Sequence, residues 1–94
     1  MRFTVVWDND VEASFIRNWV AASSQMRGTL TEVANWVDTN LSVDPESKGQ
    51  LRPDLGARIV GVPLLSSRAR VSVTYEVWAE DHLVHVIRIT FRSA

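Results

Sequence analysis

The architecture of this chain turns on residues 71–92, VSVTYEVWAEDHLVHVIRITFR. Two runs of alternating apolar and polar residues flank the polar segment Ala79-Glu80-Asp81-His82. A period of two over this length predicts a strand on each side, Ala69–Trp78 and Leu83–Arg92. A four-residue polar connection joins them as a hairpin. Side chains alternate across a strand, so faces follow from the numbering. Val71, Val73, Tyr75 and Val77 share one face of the first strand, and Ser72, Thr74, Glu76 and Trp78 the other. Strict alternation in the second strand groups Leu83, His85, Ile87, Ile89 and Phe91 against Val84, Val86, Arg88, Thr90 and Arg92. The more apolar set of each strand is assigned to the core.

Upstream, RIVGVPL (58–64) predicts a further strand, and a loop containing Ser66-Ser67 leads into the hairpin. Residues 44–57, DPESKGQLRPDLGA, carry two prolines and two glycines and predict a surface loop. At the other end, RFTVVW (2–7) alternates Phe3, Val5 and Trp7 with Arg2, Thr4 and Val6, which predicts an opening strand. Asp8-Asn9-Asp10 then signals a helix start, with Asn9 and Glu12 at capping-box spacing. Val11, Phe15, Trp19 and Ala22 form its apolar stripe, widened by Ile16 and Val20. A break is expected near Ser23-Ser24 or Arg27-Gly28. A second helix presents Leu30, Val33, Ala34, Val37 and Leu41 on one face, with Thr29 and Glu32 offering another capping box. It should end by Val43, because Pro45 biases Asp44 away from helical angles. The order strand-helix-helix-strand-strand-strand predicts one α+β domain over residues 1–94. Its expected form is a mainly antiparallel four-stranded sheet with the helix hairpin on one face.

Composition narrows the function classes. The chain has 94 residues, 46% hydrophobic and 22% charged, which is ordinary globular composition. No apolar run approaches the length of a membrane helix, and the opening residues do not resemble a signal peptide, so a cytoplasmic protein with no membrane partner is expected. Cys is absent, which excludes a disulfide framework and a thiolate metal site. His82 and His85 need carboxylate help to hold zinc, so neither metal nor cofactor is expected. Residues 1–47 hold three basic and seven acidic groups, and residues 48–94 hold seven and four. Nine of the ten basic residues are Arg, whose planar fork suits phosphate and carboxylate.

Up to four of those arginines are expected on the face turned away from the helices. Arg2 and Thr4, Arg58, then Ser72, Thr74, Glu76 and Trp78, then Arg88, Thr90 and Arg92 are expected there. Such a face suits phosphate or an acidic peptide, and equally a solvated sheet with Arg–Glu cross-strand pairs. Trp78, Val84 and Val86 on it point to a covering partner. Tyr75 and His85 are assigned to the core and His82 to the solvated turn.

The whole pattern resembles the RelE/ParE superfamily of toxins from bacterial type II toxin–antitoxin systems. The resemblance rests on FTVVWDNDVEASFIRNWV (3–20), on NLSVDPESKG (40–49) and on the closing hairpin (71–92). It implies a cognate antitoxin peptide or helix as partner, and a role in toxin–antitoxin or plasmid-stabilisation systems. RelE-like members cleave messenger RNA on the ribosome, without a metal. ParE-like members inhibit DNA gyrase. The resemblance implies Arg92 and Arg58 as catalytic residues, and the face assignment adds Arg2, Arg88, Glu76 and Trp78 as residues binding phosphate or partner. An Arg expected early in the middle strand falls near Ser72, with Arg70 assigned to the opposite side of the pleat. No residue matches the family's C-terminal Tyr or His. A silent binding module, an unrelated oligomerising domain and a homodimer stay open.

Overall fold

A computed structural model of the chain describes residues 2–65 and 67–92. Ser66 of the expected Ser66-Ser67 loop lies outside the described residues. The elements are β1 Thr4–Trp7, α1 Asn9–Ala21, α2 Ser24–Asn40, β2 Gln50–Arg52, β3 Ala57–Val62, β4 Arg70–Trp78 and β5 Leu83–Arg92. A short 3-10 turn, Pro45–Ser47, follows α2, and another, Ala79–Asp81, makes the β4–β5 connection. The sheet order is β1-β5-β4-β3-β2. β1 runs parallel to β5, and every other pair is antiparallel. The α+β class and the mainly antiparallel sheet match expectation, but the sheet has five strands where four were expected.

The extra strand comes from the 44–57 segment. Gln50, Leu51 and Arg52 pair with Ile59, Arg58 and Ala57 across a turn at Pro53–Gly56. Gly56 takes φ +62 there, and the Leu55 N–H donates to the Arg52 carbonyl at 3.0 Å. Three residues carry no readable period. Their strand character is imposed by the edge of β3. Gly49 just before it is also at positive φ, +67, and a Cβ there would lie 2.5 Å from the Ile59 carbonyl oxygen. That close approach requires glycine.

Helix starts follow local chemistry. Asp8, rather than the expected Asn9–Glu12 box, caps α1: its Oδ1 accepts from the Asp10 N–H at 3.0 Å. Ser23 caps α2, accepting from the Met26 N–H at 3.2 Å, so the break falls before Ser24 and Gly28 lies inside the helix. The Thr29–Glu32 box is not used as a cap. α1 has no basic residue in its last turn, and Arg27 of α2 supplies one. Its guanidinium donates to the Trp19 and Val20 carbonyls at 2.9 and 3.1 Å.

The core lies between α2 and the sheet. Val33, Val37 and Leu41 pack on Val71, Val73, Tyr75, Val84 and Val86, all at 3% exposure or less. α1 has no fully buried residue, and its inner stripe is only half covered.

Tyr75 is the chain's one tyrosine and is fully buried. Its hydroxyl donates to the Lys48 carbonyl at 2.6 Å, shared with the Pro45 carbonyl at 2.8 Å, which pins the segment after α2. Burial raises its pKa above 10.0, opposed by the Arg58 guanidinium. The folded state then binds the phenolic proton more tightly than the unfolded chain. Stability is therefore unaffected below about pH 10 and falls as pH rises above it. Tyr75→Phe is expected to cost about 1–3 kcal/mol at neutral pH, because two carbonyls lose their donor. The same variant should lack this alkaline loss, as read by Trp fluorescence in denaturant at pH 7 and pH 11.

One irregularity rearranges the expected faces. Thr74 pairs with Arg88, but Tyr75 pairs with Val86, so Ile87 is an extra residue in β5. A bulge of one residue exchanges the faces of everything on one side of it. Beyond it, Arg88, Thr90 and Arg92 stay on the open face as expected. Before it, Val84 and Val86 are core, both 0% exposed, and Leu83 and His85 turn to the open face. The assignment of His85 to the core, and of Val84 and Val86 to the open face, is thus corrected.

Candidate functional site

The open face carries a groove of 700 Å³ lined by Arg52, Arg70, Arg88 and Arg92, with Ser72, Thr74 and Thr90 in its floor and Ile59 and Leu55 beside them. Cross-strand register assembles it. Arg70 stands opposite Arg92, Ser72 opposite Thr90, and Thr74 opposite Arg88. Arg70 and Ser72 are two apart and share this face, which corrects the expectation that Arg70 lies across the pleat. Arg52 pairs with Asp54 at 3.2 Å. Among the described residues, Arg70, Arg88 and Arg92 form no ion pair. Like charges set opposite each other in a sheet cost stability. Three exposed guanidiniums over hydroxyls, without counter-charge, are arranged to receive an anion.

At the far end of the same face sits a second group. His85 Nδ1 lies 3.3 Å from Glu76 Oε1, and Nε2 lies 3.7 Å from Asp8 Oδ2. The Trp78 ring meets the imidazole edge-on at 5.9 Å between centroids. The carboxylates approach opposite ring nitrogens, so they flank the ring instead of converging on one point. No group of three or more metal-ligating side chains converges among the described residues.

The expected site residues divide accordingly. Arg88 and Arg92 come together, joined by Arg70 and Arg52. Glu76 and Trp78 lie on the same face but with His85. Arg58 does not join them. It pairs with Tyr75, so its side chain belongs to the helix side, where its charge acts on the Tyr75 hydroxyl. Arg2 is exposed and lies outside β1, in an isolated bridge with Val43. Thr4 is in register with Leu83, so Arg2 falls beyond the hairpin end of β5, far along the sheet from Arg88. The misplaced His85 had one signal in the sequence. Polar residues occupy position 85 and then 88, 90 and 92, and that three-residue step breaks the period of two.

No protein-family model matches the chain, and no curated protein matches it. Solved structures do. A chain of the RelBE2 toxin–antitoxin complex from Mycobacterium tuberculosis superposes with TM-score 0.71, covering 100% of this chain and 95% of that one. The identity is 19%. The chain has a RelE-like fold. A double arginine-to-alanine mutant of E. coli toxin RelE in the free state agrees, at TM-score 0.55 and 19% identity over 95% of this chain and 82% of that one. The RelE-like sheet gives the arginine groove its floor. No helix of the described chain is long and apolar enough to cross a membrane.

Proposed function

We propose that this chain is the toxin of a bacterial toxin–antitoxin pair and that its open face binds the phosphate backbone of RNA, cutting messenger RNA on the ribosome. The observation that carries this reading is the set of unpaired arginines, Arg70, Arg88 and Arg92, gathered over hydroxyls on a RelE-like sheet. Phosphate is met best by guanidinium forks, and RNA adds a 2′-hydroxyl that attacks its own phosphate once positioned. Tight phosphate positioning and charge stabilisation are the main demands of such a reaction.

The antitoxin has a landing place in this reading. β1 covers β5 only as far as Val86, and among the described residues no strand pairs with the outer edge beyond it. Beside that edge runs a groove of 260 Å³ between α1 and β5, lined by Val11, Phe15, Ile87 and Phe91. Ile16 and Val20 on α1 are 53% and 68% exposed. An extended or helical antitoxin segment with alternating apolar residues would complete both edge and stripe.

In vitro translation with the purified protein, followed by primer extension on the message, tests the reading. Cuts within the ribosome-bound codon are expected, and a co-purified antitoxin should abolish them. Intact message with inhibited DNA supercoiling would move the target to gyrase and overturn the RNA assignment.

A further inference from the structure

We propose that Trp78 and Glu76 form a base-reading subsite of the open face, where one unstacked RNA base lies on the indole and presents an amino group to the carboxylate. The inference rests on the RNA reading above and names the part of the substrate that the arginines leave unread. Guanidiniums hold phosphates, which are alike at every position, so they place a strand without choosing among sequences. Choice requires contact with a base.

The open face is divided by charge. Arg70, Arg88 and Arg92 lie over hydroxyls in one half. The other half carries Glu76 and Asp8 beside His85, with Trp78 two residues beyond Glu76 on β4. Glu80 and Asp81 follow in the exposed connection. Carboxylates repel phosphate, so the backbone stays on the arginines and a neutral group settles at the Trp78 end. Trp78 is four residues along β4 from Thr74 in the groove floor, about 13 Å at the rise of a strand. Single-stranded sites span about 4–16 nucleotides, so one strand reaches both ends.

The chemistry of this end fits a base. Trp78 is 47% exposed, and its ring meets the imidazole at 70° with 5.9 Å between centroids. The indole is thus steadied on one side while nearly half of it stays open to solvent. Exposed aromatic rings beside a basic groove are the platforms on which unpaired bases stack. Glu76 engages His85 Nδ1 through Oε1 at 3.3 Å, which fixes the carboxylate and leaves Oε2 as an acceptor. His85 acts here as a positioning residue. An ionised carboxylate only accepts, so it pairs with the exocyclic amino group of adenine, cytosine or guanine. Uracil has no amino group, and two carbonyl oxygens that the carboxylate repels flank its N3–H.

Binding of hepta-adenylate, hepta-uridylate and tri-adenylate should be measured by fluorescence anisotropy for the wild-type protein, Trp78→Ala, Trp78→Phe and Glu76→Gln. The wild-type protein is expected to hold hepta-adenylate about 10-fold more tightly than hepta-uridylate. Trp78→Ala should lose about 5- to 100-fold in affinity for hepta-adenylate. Its salt slope should stay unaltered, because no phosphate contact is lost. It should bind tri-adenylate, which the arginines hold by themselves, as the wild type does. Trp78→Phe keeps a ring and should keep most of the affinity. Glu76→Gln removes a negative charge, which by itself would tighten both heptamers alike. A base-reading carboxylate instead predicts tighter hepta-uridylate and no gain for hepta-adenylate, so the preference collapses. A merely structural clamp around His85 would move the melting temperature and leave the preference intact. Wild-type affinity of Trp78→Ala for hepta-adenylate, or equal gains for both heptamers in Glu76→Gln, overturns the subsite and leaves the RNA reading standing. Should Trp78→Ala not fold, the Glu76→Gln comparison decides by the same criterion. Failure of the wild-type protein to bind any of the three overturns both.

Discussion

Arg70→Glu should weaken RNA binding and stabilise the fold at once. Arg70 stands directly opposite Arg92 on the open face, and neither has an acidic partner among the described residues. Reversing one charge turns a repelling cross-strand pair into an attracting one, a gain of about 0.2–1 kcal/mol at this exposed position. For a domain of this size each kcal/mol moves the melting temperature by about 4–8 °C. Binding moves the other way. A charged hydrogen bond to phosphate contributes about 1.5–3 kcal/mol, so affinity should fall roughly 10- to 100-fold. The slope of log affinity against log salt should shrink by about 0.7 for each lost phosphate contact. Filter binding across a salt series and thermal melting read the two effects separately. A variant that binds RNA as the parent does, with an unaltered slope, would remove Arg70 from the site. The opposed signs matter, because they separate lost binding from lost fold.

Leu41→Ala should come close to unfolding the domain. Leu41 is 0% exposed and caps the C-terminal end of α2, where it packs into the core formed with β4 and β5. Its neighbour Ser42 accepts the Phe3 N–H at 2.8 Å, which ties the entry to β1 to the end of α2. Deleting a fully buried leucine costs about 2–5 kcal/mol, including the cavity it leaves. Domains of this kind have about 5–15 kcal/mol in total. The melting temperature should drop by roughly 10–40 °C at 4–8 °C per kcal/mol. Val20→Ala, on the exposed side of α1, should melt within a few degrees of the parent, since substitutions on open surface move stability by about 0.5 kcal/mol or less. Equal melting of Leu41→Ala and the parent would contradict the packing described here.

Much of the architecture was legible because its signals are local. Alternation over 71–78 marked β4 and its core face without error, since β4 carries no extra residue. Asp8 lies within a residue of the expected start of α1, whereas the start of α2 is one of two breaks the local signals allow, and Ser23 decides it by capping. β2 was not legible, since a three-residue strand exists only by pairing with β3. For the site, Arg88 and Arg92 were placed together from numbering alone, being an even step apart beyond the bulge. Arg58 was misplaced because its face depends on its register with Tyr75 across a second strand. Alternation puts Glu76 and Trp78 on the right face but without their companion, because strict alternation assigns His85 to the other side.

The division has one physical cause. Side-chain period, caps and turn residues are properties of neighbouring positions, so the sequence by itself determined the element order apart from β2, the helix pair, the hairpin and the gathering of arginines in the second half. Register is a property of two strands at once. The one-residue bulge at Ile87, the pairing of Arg70 with Arg92, the turning of Arg58 toward Tyr75 and the meeting of His85 with Glu76 and Asp8 were decided only when the strands docked. The cross-strand contacts among them join residues whose separation in the chain leaves no periodic trace, and together they set what the open face can do.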